Sequence, residues 1–270
     1  MAGSDAFGFF YELGQSAIGA SGGASVNPSR ADLGQFSQSS GHSIERHGLY
    51  IPSYTPTEVA TFASLNVWNC GLNGAYVDEA GRITFTGFMA SDNQFAGIEF
   101  SRVESDPTQG SIARVEDSIV VGNTGFLDSD AQVQGVITPR TEWFALAGVK
   151  FYNFTGSNAA AIVTCSGCLD PQTTDSGART VTVSNLTFDD DSSVKRVRFS
   201  FPQRGIIEDL DGSFTNYGNN SWATPYYLHN DWPECVLSEV QHDGLICNSS
   251  VQVRRLAFHG ALPEPKFEDV

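Results

Sequence analysis

From about Thr61 onward, apolar and polar residues alternate in short β-favouring runs broken by Gly, Asn and Asp. The runs include ASLNVW (63–68), RITFTGF (82–88), AGIEF (96–100), ARVEDSIVV (113–121), VQGVI (133–137), FALAGVKF (144–151), AAIVT (160–164), TVTVSNLTF (180–188), VKRVRFSF (194–201) and GIIEDL (205–210). The period is that of strands, and no stretch keeps a helical period through three turns. The first 60 residues read differently. They are rich in Gly, Ser and Pro, with apolar patches only at Phe7–Leu13 and Leu33–Phe36. This predicts an irregular cap over 1–60 and one strand-built domain over 61–270.

Several runs share a template, a β-branched or aromatic stretch followed by Asn or Asp. ITFTGFMASDN ends at Asn93 and RVEDSIVVGN ends at Asn123, 30 residues later. Recurrence at that length indicates like units stacked on one another. A propeller is disfavoured, because Trp-Asp occurs only reversed, as Asp231–Trp232. A sandwich is disfavoured, because Asn73–Gly74, Asp211–Gly212 and Asp243–Gly244 do not join paired alternating runs. The pattern predicts an all-β chain folded as a right-handed parallel β-helix. Its inward Val, Ile and Phe would form ladders, with Asn and Gly in left-handed conformations at the corners.

Composition narrows the function classes. Asp plus Glu number 31 against 15 Lys plus Arg, a formal charge of −16. Such a surface repels phosphate backbones and anionic membranes, so nucleic acid is not an expected partner and calcium is the natural ion. No apolar run reaches the roughly 20 residues of a membrane span, so membrane insertion by this segment is not expected. MAGSDAFGFF lacks the basic-then-apolar order of a signal peptide, so a secreted origin would make the chain a mature fragment.

Secretion is suggested by four N-glycosylation sequons, at Asn153, Asn185, Asn219 and Asn248. The five cysteines agree with it. Cys235 and Cys247 flank a short polar loop that a disulfide could close. Cys165 and Cys168 form a C-x-x-C pair in a loop, read as a local disulfide because no second pair completes a zinc site. Cys70 is left over, as a small core hydrophobe.

The order of motifs adds a resemblance. GFFYELG, LGQFSQSSGHSIERHGLYI, TFASLNVWNC, ITFTGFMASDNQFAGIEF, VEDSIVVGNTG, EDLDGSFT and SVQVRRLAFHG together resemble the β-helix region of fibrocystin and fibrocystin-L, from about Phe7 to Gly260. The D-x-D-G-S-x-T segment is also similar to one in the cell-surface hyaluronidase group. Where the pattern implies Thr-Gly next, this chain has Thr215–Asn216. The resemblance implies an extracellular or cell-surface, in some members ciliary, module of a larger protein. Its partners would be extracellular glycans or other ectodomain modules.

Candidate chemistry centres on Asp209-Leu-Asp211-Gly-Ser213. Two carboxylates on one side of an extended chain could hold calcium; the simpler reading is a polar corner made of Asx-turns. Polysaccharide-cleaving β-helices often use carboxylates with a basic residue, paired carboxylates serving as acid and base. The resemblance to the hyaluronidase group, which carries acidic and histidine residues in corresponding motifs, implies Asp209 and Asp211 with His42 or His47 as the catalytic candidates. Trp68, Trp143, Trp222 and Trp232 with Tyr226–Tyr227 could form a sugar-stacking face, core packing being the plainer use of at least half of them. No Ser-His-Asp order, phosphate loop or H-E-x-x-H supports another chemistry. The expected function is a non-catalytic module for adhesion, matrix or glycan contact, or surface structure. The alternative is a polysaccharide-cleaving enzyme of the hyaluronidase type.

Overall fold

The structure, a computed structural model, describes residues 2–23, 25–105, 112–128, 131, 133–140, 143–164, 181–189, 193–200, 205–225 and 233–251. Among these residues the only helices are two 3-10 turns, Gly19–Ser21 and Pro28–Arg30, and one short α-helix, Glu239–His242. The rest of the regular structure is strand. The expectation of an all-β chain with parallel strands holds.

The strands form three ladders, visited in rotation. Ladder one contains Phe7–Glu12, His47–Ser53, Asn73–Gly81, Ala96–Glu104, Gln134–Ile137, Ala160–Thr164 and Val197–Phe199, all parallel. Ladder two starts in the first parts of Phe36–Ile44 and Ala60–Cys70. It continues through Ile83–Thr86, Ala113–Glu116, Phe144–Ala147, Val181–Ser184 and Ile207–Asp209. Ladder three takes the second parts of those two long strands. It then runs through Met89–Ser91, Ile119–Val121, Lys150–Tyr152 and Thr187–Phe188. No sheet closes into a barrel among the described residues.

Alternation puts one side chain of each strand inside, and parallel register stacks it on its equivalent one coil on. Ladder one contributes Leu49, Ala75, Ile98, Val136, Ile162 and Val197, all fully buried. Ladder two contributes Phe62, Phe85, Val115, Leu146 and Val183. Ladder three contributes Val67, Ala90, Val120, Phe151 and Phe188. The rings of Phe62 and Phe85 stack at 5.2 Å and those of Phe151 and Phe188 at 5.3 Å. Burying each large side chain is worth about 1.5–3 kcal/mol, so the columns supply the driving force for coil stacking.

Two expectations are corrected. The runs over 113–121, 144–151 and 180–188 are each two strands, bent at Asp117, Gly148 and Asn185, and the run over 82–88 is one strand that bends at Gly87 before Met89–Ser91. The φ values of Gly87, Asp117, Gly148 and Asn185 are 59°, 46°, 67° and 50°. These four residues are in register, and one left-handed residue turns the chain from ladder two to ladder three. The apolar pattern continues across the bend because both halves face the same core. The second correction concerns the start. The ladders begin at Phe7, so 1–60 is not all cap: Phe7–Glu12, Phe36–Ile44 and His47–Ser53 are ladder strands. Among the described residues of 1–60, the longest stretch without a strand is 13–35.

The far end is built differently. Ile207–Asp209 pairs antiparallel with Ser221–Thr224, which pairs with Gly244–Cys247, which pairs with Cys235–Ser238. This antiparallel sheet extends ladder two, while Val197–Phe199 and Thr187–Phe188 are the last described strands of ladders one and three.

Candidate functional site at the closed end

Asp209 occupies the next rung of ladder two, in register with Val183 and therefore in the column of Leu146, Val115, Phe85 and Phe62. A carboxylate replaces the expected hydrophobe, and it has no exposed surface. Its oxygens are engaged by the turn that follows. Oδ1 accepts from Gly212 N at 3.0 Å; Oδ2 accepts from Phe214 N at 3.0 Å, Thr215 N at 2.7 Å and Thr215 Oγ1 at 2.9 Å. Thr215 Oγ1 also meets Ser221 Oγ at 2.6 Å. Gly212, at φ 80°, makes the reversal possible. Burial pushes the Asp209 carboxyl up from its ordinary value, against the pull of the Thr215 and Phe214 donors.

The turn lays Phe214 over the ladder-three column, 6.0 Å from the Phe188 ring. Arg196 lies 4.8 Å above Phe188 and donates to the Phe214 carbonyl. The Asn216 amide, with its oxygen turned to the guanidinium, accepts from Arg196 at 3.1 and 3.2 Å. His242 approaches from the other side: its Nε2–H donates to Phe214 O at 3.0 Å, and its Nδ1 lies 2.8 Å from Ser238 Oγ. The carbonyl can only accept, so it fixes the neutral tautomer.

Burial, with the Arg196 charge, holds His242 at about 4 against an ordinary 6.5, although the Phe214 hydrogen bond pulls upward. Between those values the unfolded chain binds the extra proton and the folded one does not. Stability is therefore complete above pH 6.5 and falls as pH drops towards 4, by about 3 kcal/mol at most from this residue. His47, packed among Phe7, Tyr50 and Tyr76, is also held at about 4 by burial and by Arg46. Asp209, displaced upward, works in the opposite direction. The contribution of His242 is thus the difference between the wild-type and His242→Gln curves of urea stability against pH. The difference should open below pH 6.5; parallel curves would refute it.

Asp211 sits on the exposed rim. Its Oδ1 accepts from Ser213 Oγ at 2.6 Å and Ser213 N at 3.1 Å, and its Oδ2 reaches back one coil to Asn185 N at 2.7 Å. Partial burial works upward on its carboxyl, but these hydrogen bonds hold it below the usual range. Asp189 does the same one coil earlier, accepting from Asn153 N at 2.5 Å. An acidic side chain thus clamps the left-handed Asn153 and Asn185 to the next coil.

The other predicted residues lie elsewhere. His42 is in ladder three of the first coil, stacked on Trp68 at 4.5 Å, with Nδ1 3.3 Å from Ser43 Oγ. Six rungs separate its coil from that of Asp209, roughly 29 Å at about 4.8 Å per rung. The structure does not bring His42 to the aspartates, because the register that stacks the coils keeps them at opposite ends. Trp68 and Trp143 are exposed and Trp222 half-buried, on three different coils, so they form no common platform. Asn153, Asn185 and Asn219 are exposed and Asn248 is half-buried. Cys165, Cys168, Tyr226, Tyr227 and Trp232 lie outside the described residues. Among the described residues no cluster of three His, Cys, Asp or Glu could hold a metal, and no helix is long and apolar enough to cross a membrane.

Cys235 and Cys247 face each other in the antiparallel hairpin and are joined by a disulfide, with Cα atoms 4.0 Å apart. Cys70 is a free, buried thiol whose pKa burial pushes up to about 11, against backbone hydrogen bonds that lower it. Replacing both Cys235 and Cys247 by serine should lower stability by about 2–3 kcal/mol, the loop between them being short. An unchanged urea midpoint would show that the hairpin closes without the bond.

No protein-family model matches the chain. Human fibrocystin-L is 25% identical over 288 aligned positions, covering 97% of this chain and 7% of that protein. Dog fibrocystin is 31% identical over 69% of this chain, and mouse fibrocystin 30% over 69%, each match taking in 4% of the relative. The chain belongs to the fibrocystin family.

The segment spans 4–7% of the length of these fibrocystin-family relatives. Within it, the D-x-D-G-S-x-T signature is the Asp209 turn, so that signature was readable beforehand. Arg196 and His242 were not: they come from other elements and carry no local pattern. A glycine column was also missed. Gly8, Gly48, Gly74, Gly97 and Gly135 stand in register at the entry to ladder one. The available signal was the recurrence of Gly before an apolar residue, in FGF, HGL, NGA, AGI and QGV.

Proposed function

We propose that this chain is a non-catalytic, extracellular right-handed parallel β-helix module of a fibrocystin-like cell-surface protein. It serves as a stiff structural unit whose flanks meet glycans or neighbouring ectodomain modules. The observation that carries this reading is the use made of Asp209. The one buried carboxylate of the family-like motif spends its oxygens on three backbone N–H groups and a hydroxyl of its own turn. A general acid needs a proton it can deliver to substrate, and this one faces protein donors in a closed core. His42, its proposed companion, is at the other end of the stack. The family match and the sequons support the extracellular assignment, and the charge of −16 suits a soluble surface.

A glycan array on natively secreted protein, with product analysis of any bound polysaccharide, tests the function. Binding without cleavage, or neither, agrees with the reading; a shortened product would overturn it. Secretion is tested separately by intact mass before and after N-glycanase. The exposed corners Asn153 and Asn185 are expected to carry glycans, and no mass shift would remove this support.

A further inference from the structure

The two ends of the stack are unlike. One carries, beyond ladder two, antiparallel strands with a disulfide and the Asp209 turn. At the other, Phe7–Glu12 is the last strand of ladder one and pairs, among the described strands, with His47–Ser53 alone. Phe36–Ile44 is likewise last in its ladder; beyond its end lie the isolated bridge from Ala2 to His42 and the backbone hydrogen bonds of Gly3 N to Ser43 O and of Glu45 N to Ser4 O.

The core is also unfinished there. Phe9 is in register with Leu49, and Phe36 with Phe62; Leu49 and Phe62 are fully buried. Phe9 and Phe36 occupy the same columns, and Tyr11, at the register irregularity after Phe10, lies edge-on to Tyr54 and Phe62; all three are only half-buried. The segment 13–35 covers them in part: Leu13 and Leu33 pack against the same core, and the segment is tied down where Ser29 O and Arg30 O accept from Thr55 N and Thr57 N and Ala31 O accepts from the Tyr54 hydroxyl. A solenoid end and an edge strand are ordinarily protected by polar residues, lysine or proline. The edge sequence here is Phe-Gly-Phe-Phe-Tyr-Glu, with Phe10 52% exposed.

We propose that this end is a docking edge for a strand-bearing neighbouring segment of a longer fibrocystin-family polypeptide. That segment adds a parallel strand beside Phe7–Glu12 and completes the columns over Phe9 and Phe36. The proposal rests on the module reading above. Two observations choose this occupant. The ladder on which it would continue is parallel at each of its six pairings, and the matched relatives are many times longer than this chain. A second copy fits less well, because a two-fold contact would set two Phe7–Glu12 edges antiparallel and break the column register.

Hydrogen–deuterium exchange is to be measured on this chain alone and on a longer secreted polypeptide that also carries the preceding region. Amides of 7–12 should exchange at least about tenfold slower in the longer protein, with those of 75–77 unchanged. Phe9→Asp in the longer protein should abolish the extra protection. Phe10→Lys, which leaves the core untouched, should do so if Phe9→Asp unfolds the first coil. Equal rates at 7–12 in the two proteins would overturn the proposal. So would a doubled mass of the chain alone with 7–12 already protected, because a second copy would then hold the edge. The N-glycanase result is independent, so failure of the extracellular reading is seen separately.

Discussion

Asp209→Val is expected to cost about 3–5 kcal/mol, although valine is the residue that register favours at that rung. Every equivalent position in ladder two, from Phe62 to Val183, is apolar and buried. Judged by the column alone, the substitution would be neutral or stabilising. What it removes is the acceptor for Gly212 N, Phe214 N, Thr215 N and Thr215 Oγ1. Water does not reach this position, and each orphaned buried donor costs about 1–3 kcal/mol. Added hydrophobic burial offsets only part of that. The loss of the turn also frees Phe214, which carries the carbonyl bound by Arg196 and His242. Asp209→Asn keeps one oxygen and should cost about 1–2 kcal/mol. Asp211→Asn, on the exposed rim, should lower stability by less than about 1 kcal/mol. Because N–H and O–H groups point at these oxygens, added calcium should leave the midpoints in place. Urea unfolding followed by tryptophan fluorescence measures all four. A stable Asp209→Val protein would show that the carboxylate is retained for chemistry rather than closure, and a calcium-dependent midpoint would put a cation at the corner.

The alternation of side chains was legible because a strand in a two-sided environment must alternate, and the 30-residue step from Asn93 to Asn123 tracks one coil. The two asparagines fall at equivalent places, since Ser91 and Val121 are partners in ladder three. Bends were not legible. A left-handed residue such as Asp117 or Asn185 interrupts the backbone without interrupting the apolar pattern, so composition reads straight through it. The start of the ladders was lost for a related reason. Gly8 and Gly48 enrich a region already rich in Gly, Ser and Pro, where they look like loop residues. The Asp209 turn was half legible: its carboxylates and glycine are local, but its burial depends on which rung Asp209 occupies. The link between His42 and the aspartates failed because residue types suggest chemistry and only register supplies distance.

The glycine column yields the second large expectation: Gly135→Val and Gly74→Val should each destabilise the chain by at least about 3 kcal/mol, enough to unfold a marginal domain. Neither position has a positive φ, so the argument is one of space. At Gly135 a Cβ would lie 2.2 Å from Ala161 O and 3.0 Å from both the Phe151 and Phe154 rings. At Gly74 it would lie 2.5 Å from Gly97 O and 2.7 Å from Val67 Cγ2. In each case the nearest atom is a carbonyl oxygen of the next coil, held in the ladder, so it cannot step aside without breaking the register. The other neighbours include Phe151 and Val67 of the ladder-three column, both buried. Ladder one and ladder three approach closely here, and the absence of side chains is what lets them do so. The column has an internal control. Gly125, at φ 105°, has nothing within 4 Å of its would-be Cβ, so Gly125→Ala meets backbone strain but no clash. It should cost about 1 kcal/mol. Thermal midpoints of the three variants decide the point. If Gly125→Ala proved as damaging as Gly135→Val, backbone conformation rather than close approach between coils would govern these glycines, and the stacking register would lose its main steric determinant.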